Sequence, residues 1–251
     1  MSVAIVIPAR YASSRLPAKP LLRATGKYLI QHVYERACQS KADAVVVATD
    51  DIRIYDAVVS FGGRVVMTQA DHPSGTDRVA EVARGLDHDI IVNLQGDEPL
   101  LDPDSLDLVA KLLKKDPQAS MATLSTPIHS LEQWRDPNCV KLIRDPFGRA
   151  LYFSRSPIPY CRDGEPDFKN NPGVYLQHLG LYAYRRSFLL DLATWPPSPL
   201  EEIEKLEQLR VFSLGKRIQV GIVAHASRGV DTPADYDRFV AEYFRQNAAA
   251  A

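Results

Sequence analysis

Arg10, Arg15 and Lys19 place three cations within ten residues, on a segment that also carries Ser13 and Ser14 and is stiffened by prolines. Guanidinium forks pair with phosphate oxygens, and an ammonium adds a compact charge, so cations converging on one point suit a polyphosphate. The plain alternative is a solvated basic loop. Neither familiar phosphate loop is present: Thr25-Gly26-Lys27 lacks the upstream glycine of a P-loop, and no GxGxxG follows the first strand. An acidic counterpart follows at Gln95-Gly96-Asp97-Glu98-Pro99. Carboxylates at the end of a buried strand must be hydrated, paired or metal-bound. A hard cation such as Mg²⁺ takes one or two carboxylates and fills its other positions with water and phosphate oxygens. Asp97 is the better ligand candidate and Glu98 a structural acceptor. Asp231, in Gly229-Val230-Asp231-Thr232-Pro233, either caps the last helix or gives the same metal a second carboxylate.

A further set lies in the second half. Arg155, His178 and Tyr182 mix charge with polar aromatics near strand ends, which suits a hydroxylated carboxylate. Glu204 and Gln208 are spaced i, i+4 on an expected helix and so share its face, as do Glu201 and Lys205, an expected surface ion pair. The six histidines and three cysteines show no metal-ligand spacing, so neither zinc nor a disulfide framework is expected. No GxSxG elbow supports a serine hydrolase. Asp50-Asp51 and Asp102-Pro103-Asp104 resemble glycosyltransferase acidic motifs, yet each stands where a helix starts.

Short apolar runs and amphipathic stretches must position these residues. Val3–Ile7, Ala44–Ala48, Val65–Met67 and Ile90–Leu94 read as strands of a parallel sheet covered on both faces. Helices are expected at Lys27–Ala37, Ile52–Phe61 (stopped by Gly62-Gly63) and Gly75–Leu86, the last capped by Ser74. That rhythm means βαβ units, with ligands at the carboxyl ends of the strands. Beyond residue 120, Met121–Pro127, Val140–Arg144, Ala150–Phe153 and Gly180–Tyr184 read as strands, some antiparallel. Tyr160–Tyr175 reads as a mobile surface loop, Leu200–Leu209 and Pro233–Phe244 as helices, and Gln219–Val223 as a strand. The apolar stretch Leu181–Leu192 is either core or a partner-facing surface, and the terminal Asn247–Ala251 is expected to fray.

The 251 residues, with no repeat or break in composition, read as one domain. Thirty Lys+Arg against 31 Asp+Glu provide no global field for nucleic acid or an anionic membrane. The N-terminus has no basic leader or signal-like apolar stretch, no run suits a membrane span, and the cysteines fit a reducing compartment, so a cytoplasmic protein is expected.

Ile7–Pro20, Val47-Ala48-Thr49-Asp50-Asp51, Ser74-Gly75-Thr76-Asp77-Arg78 and Gln95–Pro99 together resemble the CMP-KDO synthetases, 3-deoxy-manno-octulosonate cytidylyltransferases. Ala150–Arg155, His178-Leu179-Gly180, Leu206–Arg210 and Val230–Pro233 continue the match in order over nearly the whole chain. The resemblance implies a nucleotide-diphospho-sugar-transferase fold: α/β, a mostly parallel three-layer sheet with an elaborated second half containing some antiparallel strands. Roughly 125–200 would form a smaller sugar-binding and dimerisation subregion. It implies transfer of a cytidylyl group from CTP to KDO, Mg²⁺ dependence, a homodimer and a place in bacterial lipopolysaccharide synthesis. By the same resemblance, Arg10, Ser13, Arg15 and Lys19 hold the CTP phosphates, with Lys19, Asp97 and Asp231 the catalytic group. Ser74, Thr76, Arg78 and Gln95 surround the nucleoside, Asp97 and Asp231 ligate Mg²⁺, and Arg155, His178, Tyr182, Glu204 and Gln208 line the sugar site. One departure stands out: the family has glycine where this chain has Ala18. If that residue needs φ > 0, alanine costs on the order of 1 kcal/mol; otherwise it stiffens the unfolded chain and stabilises. Another sugar acid as acceptor, a glycosyltransferase using a preformed sugar nucleotide, and an inactive binding protein are the rival readings.

Overall fold

Val3–Ala9 (β1) is an unbroken apolar run, and a strand of that kind is stable where both faces are covered. In the computed structural model, which describes residues 1–13 and 15–248, it lies between two parallel neighbours, Ala44–Thr49 (β2) and Ile90–Asn93 (β4). Val65–Met67 (β3) pairs in parallel with β2, giving the order β3-β2-β1-β4. The strand order reverses beside β1, so the loops leaving β1 and β4 open the crevice where α/β sheets bind ligands. β3 departs from the expectation of two covered faces: Val66 and Met67 are 42% and 44% exposed, because this three-residue strand forms the sheet's edge.

The helices follow their apolar stripes. Leu29–Ala37 (α1) buries Leu29, Ile30, Val33 and Ala37 completely, at about 1.5–3 kcal/mol for each large side chain. Ile52–Ser60 (α2) starts at Asp51, whose carboxylate accepts from the Arg53 amide, and ends before Gly62 at φ 78°. Gly75–Arg84 (α3) starts at the Ser74 cap. Pro103–Lys115 (α4) buries Leu106, Val109, Ala110 and Leu113, and the Asp102 carboxylate accepts from the Asp104 amide at its start. Both acidic pairs that resembled glycosyltransferase motifs therefore begin helices.

By internal contacts the chain forms two compact units, residues 1–107 with 227–251, and 108–226. In the second, Ala119–Pro127 (β5) is followed by the short helix Leu131–Arg135 (α5) and the hairpin Lys141–Arg144 (β6) and Ala150–Ser154 (β7). Leu176–Arg185 (β8) pairs antiparallel with β5 and β6. The mixture of parallel and antiparallel strands expected for the second half is thus present. Between β7 and β8, Tyr160–Tyr175 contains no helix or strand. Its end is nonetheless anchored, since Tyr175 packs with Ile128, Trp134 and Cys139. Arg186–Leu192 (α6) buries Phe188, Leu189 and Leu192, and Leu181 is also buried, so this apolar stretch is core.

The helix expected over 200–209 is broken. Pro199–Glu204 (α7) stops at Lys205, which is left-handed at φ 53°, and Leu209–Ser213 (α8) begins afterwards. Glu204 and Gln208 therefore share no helix face, and Glu201 makes no surface pair with Lys205. Glu201 instead closes a capping box with Ser198 and grips Arg210 through two bonds of 2.5 and 2.7 Å, both side chains nearly buried. Arg217–Ile222 (β9) runs parallel to β5.

Pro233–Ala248 (α9) returns the chain to the first unit. Its cap is Thr232, whose hydroxyl accepts from the Asp235 amide while the Asp235 carboxylate accepts from the amides of Thr232 and Asp231. Phe239 packs with Leu16, Leu29 and Val230. The helix reaches Ala248, and the remainder of the expected frayed tail, 249–251, lies outside the described residues, as does Ser14.

Candidate active site

The loop after β1 is shaped by Ala18, left-handed at φ 54° and ψ 25°, which turns the chain into a short 3-10 segment at Lys19–Leu21. Backbone bonds from the Leu21 amide to the Ala18 carbonyl (2.8 Å) and from the Lys19 amide to the Leu16 carbonyl (3.2 Å) hold that turn. Leu16 and Pro20 are buried beneath it. On the β4 side, Gly96 sits where an added Cβ would lie 2.9 Å from the Pro8 carbonyl oxygen. Only a glycine lets these two strand ends approach so closely. The Asp97 carbonyl then accepts from the Val230 amide at 2.8 Å, which sets Asp231 beside Asp97. Since Thr232 caps α9, the Asp231 carboxylate is left for other work.

The Lys19 ammonium donates to both carboxylates, 2.7 Å to Asp97 Oδ2 and 3.1 Å to Asp231 Oδ1, and Arg15 Nη2 reaches Asp231 Oδ1 at 3.1 Å. Lys19 is largely withdrawn from solvent, whereas Arg15 is open to it. Glu98 points inward and accepts from the Ser227 hydroxyl. Burial pushes its carboxyl up to about 7, with Asp97 and Asp231 adding to the rise and Ser227 opposing it. It is a structural acceptor, as its sequence position suggested.

Further along this strand end, Arg10 donates to the His72 carbonyl at 3.1 Å. Arg53 stacks on the Tyr11 ring at 3.3 Å and forks onto Asp51, tying the loop to the start of α2. Sequence reasoning did not include this stack, and neither residue carries a local signal for it. Ser13 and Gln95 are partly exposed. Ser74 caps α3 and donates to Asp77 at 2.6 Å; Gly75 faces Pro8, whose Cγ would lie 3.7 Å from an added Cβ, and Thr76 is partly exposed in the first turn. Arg78 is wholly buried, bound to Asp50 at 2.7 Å and to Thr68, with its Nε unpartnered. Its guanidinium here holds the end of β2.

The second unit gathers the other candidates in two groups. His178 is buried, bonded through Nε2 to the Thr123 hydroxyl at 3.0 Å and packed against the rings of Phe153 and Tyr182. Burial lowers its pKa to about 3, so the imidazole is neutral at pH 7. Tyr182 donates to Gln208 Oε1 at 3.4 Å, and burial with the nearby Glu207 raises its phenol. Gln208 Nε2 is buried without a partner. In the second group, Glu204 accepts from the Ser154 hydroxyl (2.6 Å) and the Arg155 amide (2.9 Å). The Arg155 guanidinium clamps the carbonyls of Pro137, Glu204 and Lys205. Lys141 was overlooked; it is fully buried and donates to the Asp136 carbonyl at 2.8 Å.

Residues 4–218 match the cytidylyltransferase family. A 3-deoxy-manno-octulosonate cytidylyltransferase of Syntrophotalea carbinolica is 53% identical over 243 residues, covering 95% of this chain and 97% of its own. That of Geobacter metallireducens is 50% identical over 251 residues, covering 98% and 99%. The chain belongs to the 3-deoxy-manno-octulosonate cytidylyltransferase family. A solved CMP:2-keto-3-deoxy-manno-octonic acid synthetase complexed with CTP matches with a TM-score of 0.91 at 45% identity, covering 98% of this chain and 100% of that one. A 4-diphosphocytidyl-2C-methyl-D-erythritol synthase from Anaerococcus prevotii, at 13% identity and a TM-score of 0.63, shares the fold alone.

A cytidylyltransferase has to hold a triphosphate, and Mg²⁺ is the cation such a ligand brings. Among the described residues no cluster of three His, Cys, Asp or Glu side chains is set to cage a metal. The donors present are two carboxylates already converging on one cationic group, Lys19 Nζ. That set fits Mg²⁺, which binds through one or two carboxylates and completes its shell with water and substrate phosphate.

Proposed function

We propose that this protein transfers the cytidylyl group of CTP to 3-deoxy-manno-octulosonate, giving CMP-KDO and pyrophosphate, with Mg²⁺ held by Asp97 and Asp231. The observation that carries the reading is the convergence of Lys19, Asp97 and Asp231 at the ends of β1 and β4, in a chain about half identical to enzymes of that name. The anomeric hydroxyl of the sugar acid releases its proton to solvent water as its oxygen forms a bond to the α-phosphorus. The bond from that phosphorus to the bridging oxygen breaks, and pyrophosphate leaves with the electron pair. Bound Mg²⁺ would supply charge neutralisation at the phosphate and acidify the attacking hydroxyl.

The chain's own residues do the rest by position and charge, as phosphoryl-type transfer requires. Arg10, Ser13, Arg15 and Lys19 hold the triphosphate, and the cations offset the charge that develops on pyrophosphate. Ser74, Thr76 and Gln95 take the nucleoside, while buried Arg78 stiffens the wall behind them through Asp50. In the second unit, neutral His178 and the phenol of Tyr182 offer hydrogen bonds to sugar hydroxyls, and the unpartnered amide of Gln208 offers another. Arg155 and Glu204, bonded to backbone and to Ser154, shape that wall. On this reading the enzyme is a cytoplasmic homodimer serving lipopolysaccharide synthesis. No helix among the described residues is long and apolar enough to cross a membrane.

The test is pyrophosphate release with each nucleoside triphosphate, Mg²⁺ and KDO. Release with CTP that depends on both KDO and Mg²⁺ supports the reading. Turnover with a different sugar acid moves the substrate, and no pyrophosphate with any acceptor refutes the chemistry. Asp97→Asn is expected to lower turnover about 100-fold or more with an unchanged melting temperature, as when one charge-stabilising group is lost. A fully active Asp97→Asn protein would remove Asp97 from the metal.

A further inference from the structure

The Lys19 ammonium occupies the point on which both proposed metal ligands converge, bonded to Asp97 at 2.7 Å and to Asp231 at 3.1 Å with its side chain only 14% exposed. We infer that Lys19 is an interlock: without nucleotide its ammonium holds the two carboxylates and excludes the divalent cation, and a triphosphate draws it away, so that the cation enters with CTP and not before it. This rests on the proposed function and adds an order of binding to it.

Charge is the first argument. Asp97 and Asp231 carry two negative charges, balanced by Lys19 and Arg15. A dication added to that balanced set must enter a site already neutral, while strongly hydrated Mg²⁺ releases its water reluctantly. Once Lys19 turns to a phosphate, the carboxylates regain the charge that a dication needs. The converse also holds. Two part-buried carboxylates set side by side repel unless a cation lies between them, and Lys19 supplies it while nucleotide is absent.

Mobility is the second argument. The Lys19 backbone is pinned by the left-handed Ala18, by its amide bond to Leu16 and by the bond from the Leu22 amide to its carbonyl (3.2 Å). Exchange between carboxylates and phosphate is therefore a side-chain movement, and a point charge on a flexible four-carbon stem is suited to it. Arg15 cannot substitute fully, because it reaches Asp231 alone and lies in solvent.

The experiment titrates Mn²⁺, read by electron paramagnetic resonance, into the full-length protein without acceptor, alone and with CTP. The wild type is expected to take Mn²⁺ weakly alone and at least about tenfold more tightly with CTP; Lys19→Met is expected to bind Mn²⁺ alone at least about tenfold more tightly than the wild type does. Lys19→Arg, which keeps the charge, should bind Mn²⁺ alone as weakly as the wild type. Adding Asp97→Asn to Lys19→Met should abolish the gain, locating the ion. If Lys19→Met melts early, Lys19→Gln keeps a donor without the charge and carries the same expectation. Wild-type protein that takes Mn²⁺ with CTP, beside a Lys19→Met protein that binds Mn²⁺ alone no better, overturns the interlock and leaves the proposed function standing. No Mn²⁺ binding by either protein even with CTP overturns both.

Discussion

Ala18→Gly isolates the cost of the turn that carries Lys19. At φ 54° an L-residue presses its Cβ toward the following carbonyl, a cost of about 1–2 kcal/mol that glycine does not bear. Against this, glycine gains freedom in the unfolded chain, worth about 0.4–1 kcal/mol. The difference favours glycine by about 0.5–1 kcal/mol, which for a chain of this size raises the melting temperature by about 1–4 °C. Lys19 keeps its backbone bonds, so turnover should change less than twofold. Ala18→Val makes the opposite perturbation: a β-branched residue resists the left-handed region more strongly, so both melting temperature and turnover should fall. Calorimetric melting of the three proteins, paired with pyrophosphate release, is the assay. Ala18→Gly melting below the wild type, or Ala18→Val melting at or above it, would refute the strain argument.

Three other expectations follow from the same structure. Burial lowers His32 to about 4 and His178 to about 3 from an ordinary 6.5, so the unfolded chain takes up protons first as pH falls. Stability is thus fully present above pH 6.5 and is lost on acidification toward the folded values, each histidine contributing about 1 kcal/mol per pH unit. Glu98, raised to about 7, works in the opposite sense and offsets one of them. Urea unfolding between pH 5 and 7 should then show a net fall of about 1 kcal/mol per unit, removed by His32→Gln; a flat profile in the wild type refutes it. Glu201→Gln breaks a nearly buried ion pair and should cost about 3 kcal/mol of unfolding free energy, and a loss under 1 kcal/mol would show the pair contributes little. Gly96→Ala drives a methyl into the Pro8 carbonyl, with about 1–3 kcal/mol of destabilisation and reduced turnover expected; unchanged melting and rate would mean that the strand ends yield freely.

The alternation of strand and helix through residue 93 was legible because the buried strands there are apolar up to their last residues, Thr49 and Asn93 closing β2 and β4, and the helices after β2 and β3 start at a side-chain cap. The loops carrying Arg10–Lys19 and Asp97 were legible for the same reason, since a parallel sheet aims the ends of β1 and β4 at one crevice. What a local pattern does not encode is a pairing across sequence. Nothing near Lys19 announces that Asp231, 212 residues on, will be its partner; the Asp97–Val230 backbone bond and the packing of Val230 and Phe239 on Leu16 and Leu29 arrange it. The break at Lys205 was hidden because no glycine or proline marks it. Glu201, which looks like an ordinary helical surface residue, is drawn inward by Arg210 and the Ser198 cap. Arg78 is a similar case: a cation just after a cap reads as available to a ligand, and the part-buried Asp50 claims it.

The first unit is written in two separated passages of the chain, with residues 108–226 intervening. The passage up to residue 107 carries the cations and Asp97; Asp231 and the Phe239 cover over Leu16 and Leu29 come from the other. During synthesis the cationic loop therefore leaves the ribosome long before its acidic partner and its apolar roof exist. A half-made chain has the cationic loop without the second carboxylate that Lys19 grips and without the apolar cover over Leu16. The pairing that holds Lys19 is therefore completed last, when the final helix packs on the first.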